Sequence, residues 1–264
     1  MNSEKMFSQI VSYLREYAKK NNFKKAILGL SGGIDSAVCA CLAKEAFGSE
    51  NVLVLFMPSK FTAAHNFEDS KKLAKNLNID YEIVPIHNLF DSYLRELRIL
   101  DKKDISKAEE NLQSRVRSNI LMAYSNKFNY LVLATGNKSE IMTGYFTLYG
   151  DASGALAPIG NIYKMQVYEL AEYINKRNKK EIIPKRIFEK KPSAELRQNQ
   201  ADQDTLPEYA VLDKTLALYL DKKKTEKEII RAGFDSKTVK KVIRMVKGSE
   251  FKRTQIPKAI PLKA

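Results

Sequence analysis

The segment KAILGLSGGIDSA, residues 25–37, joins a short apolar run to a turn rich in serine and glycine. The apolar residues 25–30 predict a buried strand, and the residues from Ser36 onward predict a helix. The two glycines between them let the backbone turn tightly and approach a ligand closely. The free N–H groups at the start of the helix, together with the helix dipole, favour an anion. This segment therefore predicts a phosphate-binding loop between a strand and a helix.

Asp35 is the unexpected member of this loop, because a carboxylate repels phosphate. Its presence makes sense if Asp35 holds Mg²⁺, which would then bridge to the phosphates. The simpler alternative is an ordinary turn in which Asp35 or Ser36 caps the following helix. The loop matches neither the G-x-x-x-x-G-K-[ST] pattern nor the dinucleotide pattern G-x-G-x-x-G.

Apolar strands and amphipathic helices alternate along the chain outside this loop. Further strands are predicted at residues 51–57, 81–86 and 129–134, and helices at 3–20, 36–47, 66–77, 88–99, 106–127 and 165–178. This alternation indicates an α/β fold with a parallel sheet covered by helices on both faces. Ligands bind outside the carboxyl ends of such strands, so the polar loops 31–36 and 135–140 are expected at the same edge.

The last third of the chain has a different character. Residues 179–207 contain three prolines and many charges without a clear period, which is typical of a functional loop or lid. Helices are predicted at 208–220, 225–232 and 236–247, so residues from about 208 to 250 form a C-terminal helical portion.

Composition sets the broad class. The 264 residues fit one large domain or two small ones, and the formal net charge of +14 attracts polyanions in general. No apolar run is long enough for a membrane helix, and no secretory signal is visible. Cys39 and Cys41 suit neither a disulfide framework nor a zinc site, so a reducing, cytoplasmic setting is expected. The lysines within 189–191 and 222–224 are interpreted as a solvated basic surface.

Four further motifs narrow the function. They are NLQSRVR at 111–117, LATGNKSEIMTGYFTLYGD at 133–151, PIGNIYKMQVYEL at 158–170 and KPSAEL at 191–196. Together with SGGIDS, they resemble the ordered motifs of the NAD synthetase family, a member of the ATP pyrophosphatase (PP-loop) class. The resemblance covers roughly residues 5–260. It implies a Rossmann-like three-layer sandwich of the adenine nucleotide alpha hydrolase-like type.

The resemblance implies a ligase reaction, the final step of NAD biosynthesis. The carboxylate of deamido-NAD attacks the α-phosphate of ATP to give an NAD-adenylate and pyrophosphate, and ammonia then displaces AMP. A carboxylate is a poor electrophile with a poor leaving group, and adenylation corrects both. Holding two polyanions together requires cations near the phosphates, and the family uses Mg²⁺.

Site residues follow from the same resemblance. Those implied to bind ATP are Gly29, Leu30, Ser31, Gly32, Gly33, Ile34, Asp35, Ser36, Thr135, Lys164 and Ser193, with Gly136 nearby. Those implied to bind deamido-NAD are Arg115, Asp151, Lys252 and Arg253, and those implied to hold Mg²⁺ are Asp35 and Glu140. Asp151, Lys164 and Asp35 are the implied catalytic residues, and Asp151 would bind ammonium and help to remove its proton.

Each of these residues has a simpler interpretation when it is taken alone. Glu140 could be a helix-start charge, Lys164 a solvated lysine and Ser193 a helix cap. Arg115 could be an exposed helix charge. Two positions also depart from the family pattern, since Ala155 and Gln203 stand where acidic residues are frequent. The contacts around the nicotinate-side ribose and in the 200–204 segment are therefore expected to differ.

The synthetase motifs claim the whole chain, so we expect a single domain over residues 1–264 without a glutaminase domain. Free ammonia is then the expected nitrogen source. The family also implies a homodimer, with helix 3–20 or 106–127 at its interface, and no nucleic-acid or membrane partner. Two alternatives remain, a PP-loop enzyme that adenylates a tRNA base and a nucleotide- or RNA-binding protein without catalysis.

Overall fold

Four parallel strands form the main sheet of the computed structural model, which describes residues 1–99 and 105–263. The strands lie in the order β3-β2-β1-β4 and are β1 (Lys25–Gly29), β2 (Val52–Phe56), β3 (Asp80–Ile83) and β4 (Tyr130–Val132). The chain builds outward from β1 to β3 and then returns to place β4 on the other side of β1. This reversal creates a crevice between the ends of β1 and β4, and the two predicted polar loops follow those strands. The predicted α/β fold is confirmed.

Helices cover both faces of the sheet. In chain order, the helices of this part are α1 (Ser3–Lys20), α2 (Ile34–Phe47), α3 (Ala64–Leu77), α4 (His87–Glu96), α5 (Lys107–Phe128), α6 (Lys138–Thr143) and α7 (Lys164–Arg177). Strand residues alternate between two apolar clusters, as strand geometry requires. Leu28 packs with α1, α2 and α7 on one face, whereas Ile27 packs with Val116 and Ile120 of α5 on the other. These two clusters form the inner surfaces of a three-layer sandwich.

The C-terminal residues form a smaller layer that packs against the site side of the sandwich. The short helix α8 (Lys185–Glu189) precedes this layer and packs on the main core through Ile187. The layer itself contains α9 (Tyr209–Leu216), α10 (Glu226–Arg231), α11 (Ser236–Gly248) and α12 (Glu250–Arg253). Buried residues of α9 and α11 pack on Tyr163, just before α7. The predicted helices at 208–220, 225–232 and 236–247 are therefore present.

Short elements are where sequence patterns fail. Helices α6 and α8 and the two-residue strands β5 (Leu156–Ala157) and β6 (Lys258–Ala259) were not predicted, because each is too short to show a period. β5 continues the sheet beyond β4 through a parallel bridge between Leu133 and Leu156, and β6 pairs with β5. β5 and β6 therefore extend the sheet on the side of β4. In the part of the chain that the structure describes, no helix has the length and apolar character needed to span a membrane.

Leu28→Ala tests the packing of the core. Leu28 is completely buried, so truncation is expected to lower the free energy of unfolding by about 2–5 kcal/mol, measured by urea denaturation. Leu89→Ala on α4 is the matched control, because 48% of that side chain is exposed and its loss should cost far less. Equal losses in the two variants would contradict the assignment of the core.

Candidate functional site

The loop after β1 is held open at the start of α2. Ser36 Oγ donates to the Gly33 carbonyl (3.0 Å), and the backbone N–H groups of Ser31 and Gly33 donate to the hydroxyls of Ser36 and Ser31 (both 3.2 Å). Gly33 is the N-cap residue, and it has no side chain with which to cap the helix, so neither Asp35 nor Ser36 takes that role. The first N–H groups of α2 therefore stay available to a ligand.

Gly32 must be glycine for two reasons. Its φ of 78° lies in the left-handed region, and a Cβ there would come within 2.9 Å of the Cβ of Asn66 on α3. The phosphate loop thus packs tightly against the start of α3.

Asp35 and Lys164 form an ion pair at the carboxyl edge of the sheet. Lys164 is the first residue of α7 and only 2% exposed, and its Nζ contacts Asp35 Oδ2. Asn137, the N-cap of α6, donates from Nδ2 to Asp35 Oδ1 at 3.0 Å. Although burial acts to lower it, the carboxylates of Asp35 and Glu140 hold the pKa of Lys164 above its ordinary value. The two predicted polar loops therefore meet, as the strand order requires.

Glu140 lies in the same cluster and also shapes α6. Its Oε2 accepts a hydrogen bond from the backbone N–H of Asn137 (3.0 Å), which completes a capping box. Burial, followed by the nearby charge of Asp35, raises the pKa of Glu140 well above its ordinary value, and Lys164 only partly opposes this. Glu140 is therefore a helix-start charge, as its simpler interpretation has it, and it lies beside the Asp35–Lys164 pair, while its role as a Mg²⁺ ligand stays a prediction.

A buried carboxylate from the C-terminal layer fixes the helices that carry Glu140 and Lys164. Asp213 on α9 accepts from Ser139 Oγ (2.5 Å) and from the backbone N–H of Met165 (2.8 Å). Ser139 Oγ in turn accepts from the backbone N–H of Lys164 at 3.0 Å. Sequence reasoning missed Asp213, because nothing in a helical period distinguishes this carboxylate from a solvated one.

Asp151 and Lys252 form the far side of the site. Asp151 Oδ1 accepts from the backbone N–H of Thr147 (2.9 Å), and burial raises the pKa of Asp151 while Lys252 opposes the rise. Lys252 Nζ donates to the carbonyls of Gly144 (3.0 Å) and Phe146 (2.9 Å). The C-terminal segment therefore reaches the loop that carries Asp151.

The segment 190–196 covers the phosphate loop. Glu195 accepts from Asn66 Nδ2 (2.6 Å) and pairs with Lys190 Nζ (2.8 Å), so the segment is tied to the start of α3. Ser193 Oγ donates to the Gln200 carbonyl (2.6 Å) and accepts from the Glu195 N–H, which folds the segment on itself. The interpretation of Lys190 as a solvated surface lysine is wrong, since it is largely buried by this pairing.

These parts enclose one cavity of about 510 Å³, a size typical of small-molecule sites. The implied site residues that line it are Gly29, Leu30, Ser31, Gly33, Ile34, Asp35, Ser36, Thr135, Gly136, Glu140, Asp151, Lys164, Ser193 and Lys252. Arg115, Arg253 and Gly32 do not line it. Arg115 is exposed and donates to the Leu148 carbonyl (3.2 Å), and Arg253 donates to the Met142 carbonyl (3.0 Å). Arg117 and Asp202, to which the sequence analysis gave no role, do line it.

Within residues 1–99 and 105–263, no group of three or more His, Cys, Asp or Glu side chains is placed to hold a metal ion by itself. Asp35 and Glu140 are two oxygen donors, so any divalent cation there would need further ligands from a substrate or water.

Comparisons with known proteins show the family to which this fold belongs. The family model described as NAD synthase matches residues 6–256. Glutamine-dependent NAD(+) synthetases of Aquifex aeolicus and Thermotoga maritima are 47% and 49% identical to the chain over 96% of its length. Those alignments cover 45% and 44% of the two relatives, so the chain spans about half the length of the curated relatives it matches.

Two solved structures match nearly end to end, each covering 96% of both chains. One is described as an NH3-dependent NAD synthetase from Campylobacter jejuni (TM-score 0.77, 30% identity), and the other as an NMN synthetase from Francisella tularensis (TM-score 0.81, 29% identity).

Glu140→Gln tests the electrostatics of the cluster. The pKa of Glu140 is higher in the folded protein than in the unfolded chain. As pH rises above the pKa of the unfolded chain, the unfolded state loses its proton more readily than the folded state does, and the folded state becomes less stable. In magnesium-free buffer, the variant should therefore gain unfolding free energy relative to wild type between about pH 5 and pH 8, by at most about 1.4 kcal/mol per pH unit. Denaturation curves across that range measure the gain, and a difference that stays flat would contradict the buried, unneutralised charge.

Proposed function

The chain belongs to the NAD synthase family, and from this premise we propose that it amidates deamido-NAD to NAD at the expense of ATP, through an NAD-adenylate. The products are AMP and pyrophosphate, and the reaction is the final step of NAD biosynthesis. One observation carries the proposal. A single cavity brings together a helix-start phosphate loop, the Asp35–Lys164–Glu140 cluster and the buried carboxylate of Asp151. Adenylation and amidation need these groups within reach of one carboxyl carbon.

The cluster fits Mg²⁺. Asp35, Glu140 and the nearby Asp202 place three carboxylates around one lysine, and burial raises the pKa of both Glu140 and Asp202. A divalent cation would relieve this excess of negative charge. Mg²⁺ is commonly held by one or two carboxylates plus substrate phosphates, and Asp35 and Glu140 would supply the carboxylates. When bound, it supplies positive charge to the phosphates of ATP.

For adenylation, the chain supplies donors to the phosphates. The open N–H groups at the start of α2 would bind the departing pyrophosphate, and Lys164 would bind a phosphate oxygen when ATP loosens its pairing with Asp35. Ser193 and Thr135 line the same cavity and add hydroxyl donors. The segment 190–196 covers the site and keeps water from the adenylate.

For amidation, Asp151 would bind ammonium and accept its proton. Burial raises the pKa of Asp151, which makes the carboxylate a better base than an exposed one. Lys252 neighbours Asp151 and would face the anionic adenylate, as expected. Arg115 and Arg253 lie outside the cavity, so any contact they make to deamido-NAD would involve the part of that substrate that extends beyond it.

Free ammonia is the proposed nitrogen source. The C. jejuni protein, similar over 96% of both chains, is described as NH3-dependent, whereas the longer curated relatives are described as glutamine-dependent.

A homodimer and a cytoplasmic location stay predictions. The apolar stripe of α1 is buried in the core, which leaves α5 as the proposed interface helix, with Met122 and Phe128 exposed. Light scattering measures the stoichiometry.

Product analysis tests the activity. With ATP, Mg²⁺, deamido-NAD and ammonium, the protein should yield NAD, AMP and pyrophosphate in equal amounts, and glutamine should replace ammonium poorly. Nicotinate mononucleotide is the second substrate to try, because the F. tularensis neighbour is described as an NMN synthetase. Release of ADP and phosphate, or turnover on tRNA alone, would contradict the proposal.

Asp151→Asn separates the two half-reactions. The amide can still accept from the Thr147 N–H, so the loop is retained while the base is lost. Ammonia-dependent release of AMP should fall by about 10²–10⁴-fold, while formation of pyrophosphate and adenylate in a single turnover falls much less. Rapid quench with labelled ATP measures both. Asp235→Asn, at the distant N-cap of α11, is the control, and equal losses in both half-reactions would contradict the role of Asp151.

A further inference from the structure

Arg117 is a cation in the cavity wall without a carboxylate partner among the described residues. Its Nε donates to the Met57 carbonyl at 2.9 Å, and no ion pair to it is formed within residues 1–99 and 105–263. Three of the lysines that line the cavity are paired with carboxylates. Lys107 contacts Glu110, Lys164 contacts Asp35 and Lys190 contacts Glu195. The terminal nitrogens of Arg117 are therefore free to bind something that enters the cavity.

Along α5, Arg117 lies between a residue that packs beside Asp151 and a residue that packs beside the start of the phosphate loop. Ser114, Arg117 and Leu121 share one face of α5, at the spacing of helical neighbours. At one end of this face, Ser114 Cβ lies 2.7 Å from where a Cβ on Gly150 would stand, beside Asp151. At the other end, Leu121 Cδ1 lies 4.0 Å from the equivalent position on Gly29, where β1 leads into the phosphate loop. Arg117 therefore lies on the cavity wall between these two ends.

The charge of Arg117 is held at a cost. Burial lowers its pKa to about 10, and the more distant carboxylates of Glu195 and Asp151 only partly offset this. The side chain remains protonated at neutral pH, but it has lost water without gaining an ion partner. A planar anion restores that partner best, because the guanidinium fork matches the two oxygens of a carboxylate.

We propose that Arg117 binds the carboxylate of the amidation substrate and holds it between the phosphate loop and Asp151. The inference rests on the proposed function and gives a role to Arg117, the last residue of the motif at 111–117, to which the family resemblance assigned none. Phosphate oxygens of ATP present similar anionic acceptors, and they are the competing ligand. The carboxylate is favoured because its two oxygens match the guanidinium fork, and because Ser114, one turn from Arg117, packs beside Gly150 and Asp151.

Arg117→Gln and Arg117→Lys test the contact, with Lys127→Gln as a control on the exposed end of the same helix. Arg117→Gln should raise KM for deamido-NAD by about tenfold or more, the loss expected for a charge-assisted hydrogen bond. Its dissociation constant for ATP alone, measured by calorimetry, should change less than threefold. Arg117→Lys keeps the positive charge but loses the guanidinium fork, so its KM should lie between those of wild type and Arg117→Gln. Lys127→Gln should match wild type in both measurements.

Three results would overturn the inference. Weaker ATP binding with an unchanged KM for deamido-NAD assigns Arg117 to a phosphate. Unchanged values for both, in variants that unfold like wild type, leave Arg117 with only its bond to Met57. If Arg117→Gln fails to fold, full recovery of KM in Arg117→Lys excludes the bidentate contact. A wild-type protein that neither binds nor amidates deamido-NAD contradicts the proposed function itself, whatever the variants do.

Discussion

The buried ion pair between Asp35 and Lys164 is the constraint on which the site depends. It joins α2 to α7, whose first residue lies 129 residues after Asp35, and Asn137 adds the loop after β4 to the same carboxylate. A buried pair of this kind adds little net stability, but removing one partner leaves an uncompensated charge and is costly. The pair therefore fixes three loops in place, and it does so with groups that a phosphate and a metal ion can each compete for. We interpret it as the resting arrangement of a site built for a polyanion.

Neighbouring carboxylates add unfavourable electrostatic interactions to this arrangement. Glu140 and Asp202 add negative charge to a buried cluster that contains one lysine, and the pKa of each is raised by burial. The scaffold tolerates this because further hydrogen bonds, several of them to backbone groups, also hold the helices in place. Asp213 binds Ser139 and the N–H of Met165, and the capping box fixes the start of α6. The helices are therefore held by several contacts, so the loss of the Asp35–Lys164 pairing to a ligand need not disturb their positions.

The sequence predicted the fold and most of the residues that the structure brings together around one cavity, because both depend on long or distinctive patterns. Buried strands next to polar loops predicted which loops meet, and Asn137 contacting Asp35 bears this out. The failures have local physical causes. Helix α6 and strand β5 are too short to carry a period, and Asp213 looks like any helical carboxylate. The motif on α5 drew attention to Arg115, whereas helical phase places Arg117 on the face with Ser114 and Leu121. The spacing of residues within a motif does not show which face of the helix lines the cavity, and that face decides which side chain can reach a ligand.

The net charge of +14 leads to the same distinction between composition and position. It predicts an attraction for polyanions in general, but several cations of the cavity are already balanced, since Lys164 and Lys190 pair with carboxylates and Lys252 donates to carbonyl oxygens. The excess lies elsewhere. The exposed face of α11 carries Lys237, Lys240, Lys241, Arg244 and Lys247, and this helix contains no acidic residue. A surface of that kind raises the local concentration of anionic substrates without selecting among them. Selection instead requires desolvated, positioned groups, and those are few enough that net charge cannot reveal them.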